Sequence, residues 1–344
     1  MTSLSTAAPN SADKPMRALL MMVGAHFCFS LMIFLIKSAQ NLEIKTAVSR
    51  GLPAASSFGT WESVLFRCLP MTAICVGILV RRRAARQKHP QLSHRDVSWL
   101  LTRGIVGAIS MACFFHATLT IPLALSSLFA NSSVFLIGLL GHVFLNERLT
   151  RARVLFALGG LAGVVLVLGT GFMPSSEASA ASTDYFISFL SGVLSALAYF
   201  SVRKMKSVPG NTIILSLSAS GVLLALLSSL FIAPLRVPDE PAVVALLCLS
   251  SLPAIAAQYL MTWSFQSGEA GFVALGQYSG PVFAALLGIV AFGEMLSPWQ
   301  WFGACIAILF GVMMPLVDER TLQARIMSRH RRAVQVLKER MRAP

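Results

Sequence analysis

Charge is what this sequence has least of. Asp, Glu, Lys and Arg make up 12% of its 344 residues, about half the roughly 25% usual in soluble domains. With 56% hydrophobic residues and a mean hydropathy of +0.72, that scarcity excludes a soluble globular chain, and the molecule reads as an integral membrane protein. Cysteine is sparse as well. Cys28, Cys68, Cys75, Cys113, Cys248 and Cys305 all fall inside apolar runs, with no CxxC pair and no Cys/His spacing. A disulfide or zinc framework is thereby excluded, and these residues serve as small apolar side chains. No phosphate-binding glycine loop and no HExxH occurs, so a primary pump or an enzyme of those types lacks its machinery, and no metal, cofactor or catalytic residue is expected. Acidic residues are few, 14 against 28 basic, for a net charge of +14. In a soluble protein that excess would suggest nucleic acid. Here most basic residues sit in short segments between apolar runs or in the tail, the pattern of cytoplasmic loops on a membrane protein, and no nucleic-acid partner is expected.

What is present is a series of apolar runs. Residues 1–16 are polar and read as a disordered cytoplasmic N-terminus. The run Ala18 to Ile36 is longer than the roughly 7 to 15 residues of a signal-peptide core, so it reads as a retained first span. After a loop at about 38–59, a second span covers roughly Thr60 to Val80 and carries Glu62 and Arg67 within it; the basic cluster Arg81, Arg82, Arg83, Arg86 and Lys88 follows. From Gly104 to Asn146 there is no Asp, Glu, Lys or Arg, a run about twice the ~20 residues that cross a bilayer. It therefore holds two spans, divided near Ile121 and Pro122 because the residue before proline is driven out of the helical region. A fifth span covers about 154–172, a Ser/Ala/Glu/Asp linker occupies 173–184, and spans near 185–202, 211–233, 242–265, 270–292 and 298–317 bring the total to ten.

The Lys/Arg distribution sets the orientation. With the N-terminus inside, the dense basic segments all fall on the cytoplasmic side, against only Lys37, Lys45, Arg50 and Arg236 on the other. Both termini are thus expected in the cytoplasm of a plasma-membrane protein. The basic tail 318–344 places Leu322, Ile326, Val334, Leu337 and Met341 along one helical side, which suits either an anionic lipid surface or solvated disorder.

The segment Pro122 to Leu149 returns in weaker form as Glu269 to Leu296. Leu128, Ser132, Leu139, Leu140, Gly141, Val143, Glu147 and Leu149 align with Leu275, Ser279, Leu286, Leu287, Gly288, Val290, Glu294 and Leu296. Five spans per half is odd, so the second half must enter the membrane inverted. The loops agree: NERLTRAR after the first copy carries three arginines, and GEMLSPWQW after the second carries none. The fold class expected is therefore an all-α integral membrane protein of ten transmembrane helices in two inverted five-helix repeats, 17–172 and 185–317. Secondary transporters are often built this way, with the substrate site near the midplane.

Particular residues carry a family likeness: Glu62 with Phe66-Arg67, Arg103-Gly104, Ile121 to Ala124, Asn146 to Leu149 with Gly159 to Val164, Ala196 to Lys204, and Gly293-Glu294. Through them the chain resembles the drug/metabolite transporter superfamily, in its ten-span EamA-type branch, over nearly all of 17–317. The resemblance implies movement of a small organic metabolite across the plasma membrane, such as an amino acid or a nucleotide-type solute like S-adenosylmethionine. The family usually has a proline midway in span four. Val134 stands there, while Pro281 keeps it in span nine, so a helix break is expected only in the second copy.

Several residues are candidates for the site. Glu62 within a span costs about 2.5–3.5 kcal/mol if it lies at the bilayer centre, which suits a proton- or cation-coupling role; alternatively it lies within a turn of the outer end, where water reaches it. Arg67, about 140° further round the helix, suits either a bidentate grip on a substrate carboxylate or a clamp on helix-end carbonyls. Glu147 and Glu294 read as helix-junction acids that accept free backbone N–H groups. Asn131 and Tyr278 are equivalent in the repeat and are expected on opposite walls of one cavity, with Ser127 a turn before Asn131; interhelical hydrogen bonding is the alternative. His116, Gln258, Trp263 and Gln277 are expected to line that cavity, Trp263 alternatively as an interfacial anchor. His26 is a weaker proton candidate beside His116. Gly138 and Gly141, and Gly159, Gly160 and Gly163, read as close helix contacts. Together these features predict a secondary transporter that alternates access, with a small-molecule substrate, the lipid bilayer and a proton or counter-substrate as partners. A receptor or assembly partner is the non-transport alternative.

Overall fold

The computed structural model describes residues 13–51, 58–85, 92–137, 140, 151–170, 182–205, 207–231, 234–267, 273 and 276–313. Glu147, Gly138, Gly141 and the basic tail lie outside the described residues. Within them the regular structure is entirely helical, as lipid demands: a segment with no water beside it must satisfy its N–H and C=O groups internally. The helices are α1 (Asp13–Ser49), α2 (Thr60–Ala84), α3 (His94–Thr120), α4 (Leu123–Asn131), α5 (Arg151–Thr170), α6 (Ser182–Lys204), α7 (Gly210–Phe231), α8 (Pro241–Ser267) and α9 (Ser279–Phe292), with α10 at Pro298–Met313. Among the described residues six are long and apolar enough to cross a membrane, α1, α2, α3, α6, α7 and α8, and four are shorter apolar helices.

The ends follow local chemistry. Ser93 caps α3, its Oγ accepting from Arg95 N–H at 3.4 Å while Asp96 accepts from Ser93 N–H at 3.1 Å. Ile121, with ψ 167°, stops α3 and hands the chain to Pro122, as the proline predicts. The first span differs from expectation. Residues 38–49 continue α1 as helix, because no proline or glycine intervenes until Gly51, which ends the helix at φ +72°. Lys37 therefore lies inside a helix that runs about 55 Å.

The fourth span also differs. Its helix is interrupted at Ser132 without a proline. The Ser132 hydroxyl donates to the Phe129 carbonyl at 2.7 Å, the same bond that Ser228 and Ser250 make inside unbroken helices. The second copy has its irregular residue at Tyr278, beside Pro281, so both copies break near the same place by different means.

The most extensive pairings are α1 with α8 and α3 with α6, followed by α2 with α7, α3 with α7, α1 with α9, α4 with α9, α2 with α8 and α4 with α6. Exchanging α1 to α4 for α6 to α9 maps this set onto itself. Close approaches depend on missing side chains, since packing drives association in lipid. A Cβ on Gly163 of α5 would stand 2.6 Å from Ala307 N and 2.7 Å from the Gly303 carbonyl of α10. Outward, Leu20, Leu69, Leu101, Leu155, Leu223, Phe231 and Val290 are exposed, an apolar surface of the kind that lipid covers.

Candidate functional site

Seven helices, α1 to α4 and α6 to α8, surround a cavity of about 80 Å³. Ligand pockets for drug-sized molecules usually run to about 300–1,000 Å³, so this conformation has room for a few waters. His26, Ser30, Arg67, Arg103, Ser110, Ser127, Asn131, Ser195, Tyr199 and Gln258 supply its polar lining, with Phe29, Phe114, Met111 and Met261 among the apolar walls.

Two guanidinium groups face this space. Arg67, the eighth residue of α2, is 7% exposed and Arg103, the tenth of α3, is 3% exposed. Arg67 donates to Gln258 Oε1 at a long 3.4 Å and lies over the rings of Phe29 and Phe115, 5.4 and 5.7 Å from their centroids. Arg103 lies 5.5 Å from the Tyr199 centroid, and its Nε has no hydrogen-bond partner among the described residues. Among the described residues neither arginine is ion-paired, and no Asp or Glu lines the cavity. Cation–π contacts offset part of the cost of burial, and a buried charge with no counterion is otherwise expensive.

The remaining polar groups are partly tied down. Asn131 Nδ2 donates to the Ser127 carbonyl at 2.9 Å. Ser110 Oγ donates to the Ser191 carbonyl at 2.9 Å and lies 2.7 Å from Ser195 Oγ. Gln258 Nε2 and His26 Nε2 are buried without partners among the described residues. Gly280 of α9 comes against this corner because it has no side chain: a Cβ there would stand 2.7 Å from His26 Nδ1 and 3.0 Å from Asn131 Nδ2.

Of the residues singled out from the sequence, Arg67, Asn131 and Gln258 line the cavity together. Tyr278 does not join them. Its ring packs on Phe135, 6.0 Å between centroids, and against Gly311 of α10, since the short helix α9 turns that position toward α5 and α10. Gln277 is 2% exposed but is no part of the cavity lining. His116 is at the far end of α3, its Nε2 2.8 Å from Asp184 Oδ1. Trp263 is 49% exposed on the outer surface beside Tyr259.

The acids sit at helix ends. Glu62 accepts from Gly59 N–H at 2.9 Å and from Arg236 N–H at 3.0 Å, holding the start of α2 to the segment between α7 and α8. Glu294 accepts from Leu123 N–H at 2.8 Å and pairs with Lys37, whose Nζ donates to the Ile121 carbonyl at 2.9 Å. The N–H it meets begins α4, in the other half of the chain, rather than the helix that follows it.

Arg103, Tyr199, Ser30, Ser110 and Ser195 were not among the residues expected at the site. Arg103 had read as the edge of a span opening at Gly104, yet the helix begins at His94, which puts the guanidinium-bearing residue about 14 Å in. The Ser93/Asp96 capping pair is the sequence signal that would have moved that boundary.

Comparison with known proteins is consistent with this architecture. The EamA-like transporter family model matches residues 16–169 and 183–315. The "Pseudopaline exporter CntI" of Pseudomonas aeruginosa strain UCBPP-PA14 is 31% identical over 84% of this chain and 94% of its own. "Solute carrier family 35 member G1" of Mus musculus is 26% identical over 72% of this chain and 68% of its own. A protein crystal structure aligns over 83% of this chain and 98% of its own with a TM-score of 0.54 at 20% identity, a likeness of fold alone.

Proposed function

The chain belongs to the EamA-like transporter family, and from that premise we propose that it exports a small organic metabolite across the plasma membrane by alternating access. The observation that carries this reading is the cavity, a polar space buried deep in an apolar bundle and walled by helices of both halves. Polar side chains placed that deep in a membrane protein ordinarily mark a solute path. The name of the Pseudomonas relative supports export as the direction.

The helix pairings support a pseudo-twofold relation between the halves, and the unequal loop charges support its inversion, with both termini in the cytoplasm. In that orientation Lys37, Pro122 and Glu294 share the outer end. The Lys37–Glu294 pair and its bonds to Ile121 and Leu123 then close the cavity outward, and export requires them to part while the inner end closes. Rocking of one half against the other about the fixed site accomplishes both.

Reconstituted full-length protein tests the proposal by counterflow. Vesicles preloaded with an exported solute should accumulate the labelled solute transiently; binding of a protein partner with no exchange of any solute would favour the receptor reading instead.

A further inference from the structure

Resting on the transport reading, we infer the substrate class from the cavity's charge: the cargo is a small organic anion bearing at least two carboxylates, held between Arg103 and Arg67. The site is rich in donors and poor in charge compensation. Among the described residues Arg103 Nε, Gln258 Nε2 and His26 Nε2 are buried at the cavity without partners, and two guanidinium groups stand there with no carboxylate lining the space. A native interior seldom leaves such groups unmet. What meets them in a working cycle is a ligand made of acceptors and negative charge.

The direction of Arg103 strengthens the point. A long basic side chain near a helix end normally reaches back toward water. Here the guanidinium runs the other way, deeper into the bundle: a Cβ on Gly107, one turn further from the start of α3, would stand 3.2 Å from Arg103 Nη1. Gly107 therefore leaves the space that this orientation needs. Arg67 lies over Phe115, eight residues beyond Gly107 on the same helix, so the two cations stand at different levels along α3. Two planar forks at two depths, with aromatic and methionine walls between, suit a molecule with separated carboxylates and an apolar middle, each fork taking a carboxylate bidentately. A sulfonium cation such as S-adenosylmethionine meets like charge at this site.

Two measurements on the full chain test this. In the first, the medium of cells expressing wild type, Arg103→Gln or Arg103→Lys is profiled for exported solutes. We expect a solute with two or more carboxylates, its export reduced at least tenfold by Arg103→Gln and incompletely rescued by Arg103→Lys, which keeps the charge and loses the fork. A neutral or cationic exported solute, or one whose export survives Arg103→Gln, overturns the inference and leaves the exporter reading standing. In the second, purified wild type and Arg67→Gln, each monodisperse in detergent, are heated with glutarate, citrate, inorganic phosphate or putrescine. Glutarate or citrate should raise the melting temperature of wild type, with the shift lost in Arg67→Gln. Equal shifts from phosphate, stabilisation by putrescine, or no shift from either carboxylate contradicts it, including where no solute export is detected at all.

Discussion

Replacing Glu294 by Gln should loosen one end of the bundle. The carboxylate is 13% exposed and its partner Lys37 12%, so the pair is dry enough to matter and wet enough to be screened. Gln can keep one bond to Leu123 N–H but loses the charge that meets Lys37. A hydrogen bond to a charged group contributes about 1.5–3 kcal/mol and exposed pairs much less, which puts the loss near 2 kcal/mol. That corresponds to roughly a thirtyfold shift in the equilibrium between the closed and open arrangements of this end. Spin labels at Thr120→Cys and Met295→Cys, both exposed positions flanking the junction, on a cysteine-free background would report it as a broader and longer distance distribution in Glu294→Gln. Lys37→Met should shift it similarly, and the double variant should add little, because the two residues act as one contact. An unchanged distribution in both single variants would refute the assignment of this pair as a closure.

Three further outcomes follow from particular contacts. Glu62→Gln should keep pH-driven accumulation within about twofold, since both carboxylate oxygens serve backbone N–H groups; lost accumulation with intact exchange at zero gradient would restore Glu62 to coupling. Tyr278→Phe should leave transport unchanged, its hydroxyl being buried without a partner among the described residues, whereas Asn131→Leu, which fills the cavity with an apolar group, should reduce export tenfold or more; the reverse order would return Tyr278 to the site. Gly163→Leu should lower the melting temperature, costing about 1–3 kcal/mol or more, because the atoms in its way are backbone of α10; an unchanged melting temperature would mean that α5 and α10 are not so tightly apposed.

The sequence disclosed whatever depends on local chemistry or on solvent. Pro122 marked the boundary between α3 and α4, the apolar runs marked the helices, and Gly163 marked a close contact. It was less informative where direction within a packed bundle decides the outcome. Asn131 and Tyr278 are equivalent in the repeat, yet one faces the cavity and the other packs on Phe135 and against Gly311. The end of α4 at Ser132 has no proline or glycine to mark it in the one-letter string. Arg103 stands where a charge ordinarily ends a span, and its burial beside Tyr199 and Gly107 is a tertiary fact. Glu294 was legible as a helix-end acid, but its partner is in the opposite half, and no pattern local to it names Leu123 or Lys37.

The central claim is that the cavity around Arg67, Arg103 and Asn131 opens to each side of the membrane in turn. Ser127→Cys on the cysteine-free background, probed with a membrane-impermeant thiol reagent in right-side-out and inverted vesicles, tests it most directly. Labelling from both sides is expected, with the Glu294→Gln variant raising the rate from the outer side and lowering it from the inner. Labelling from one side alone in every variant, or from neither, would contradict it.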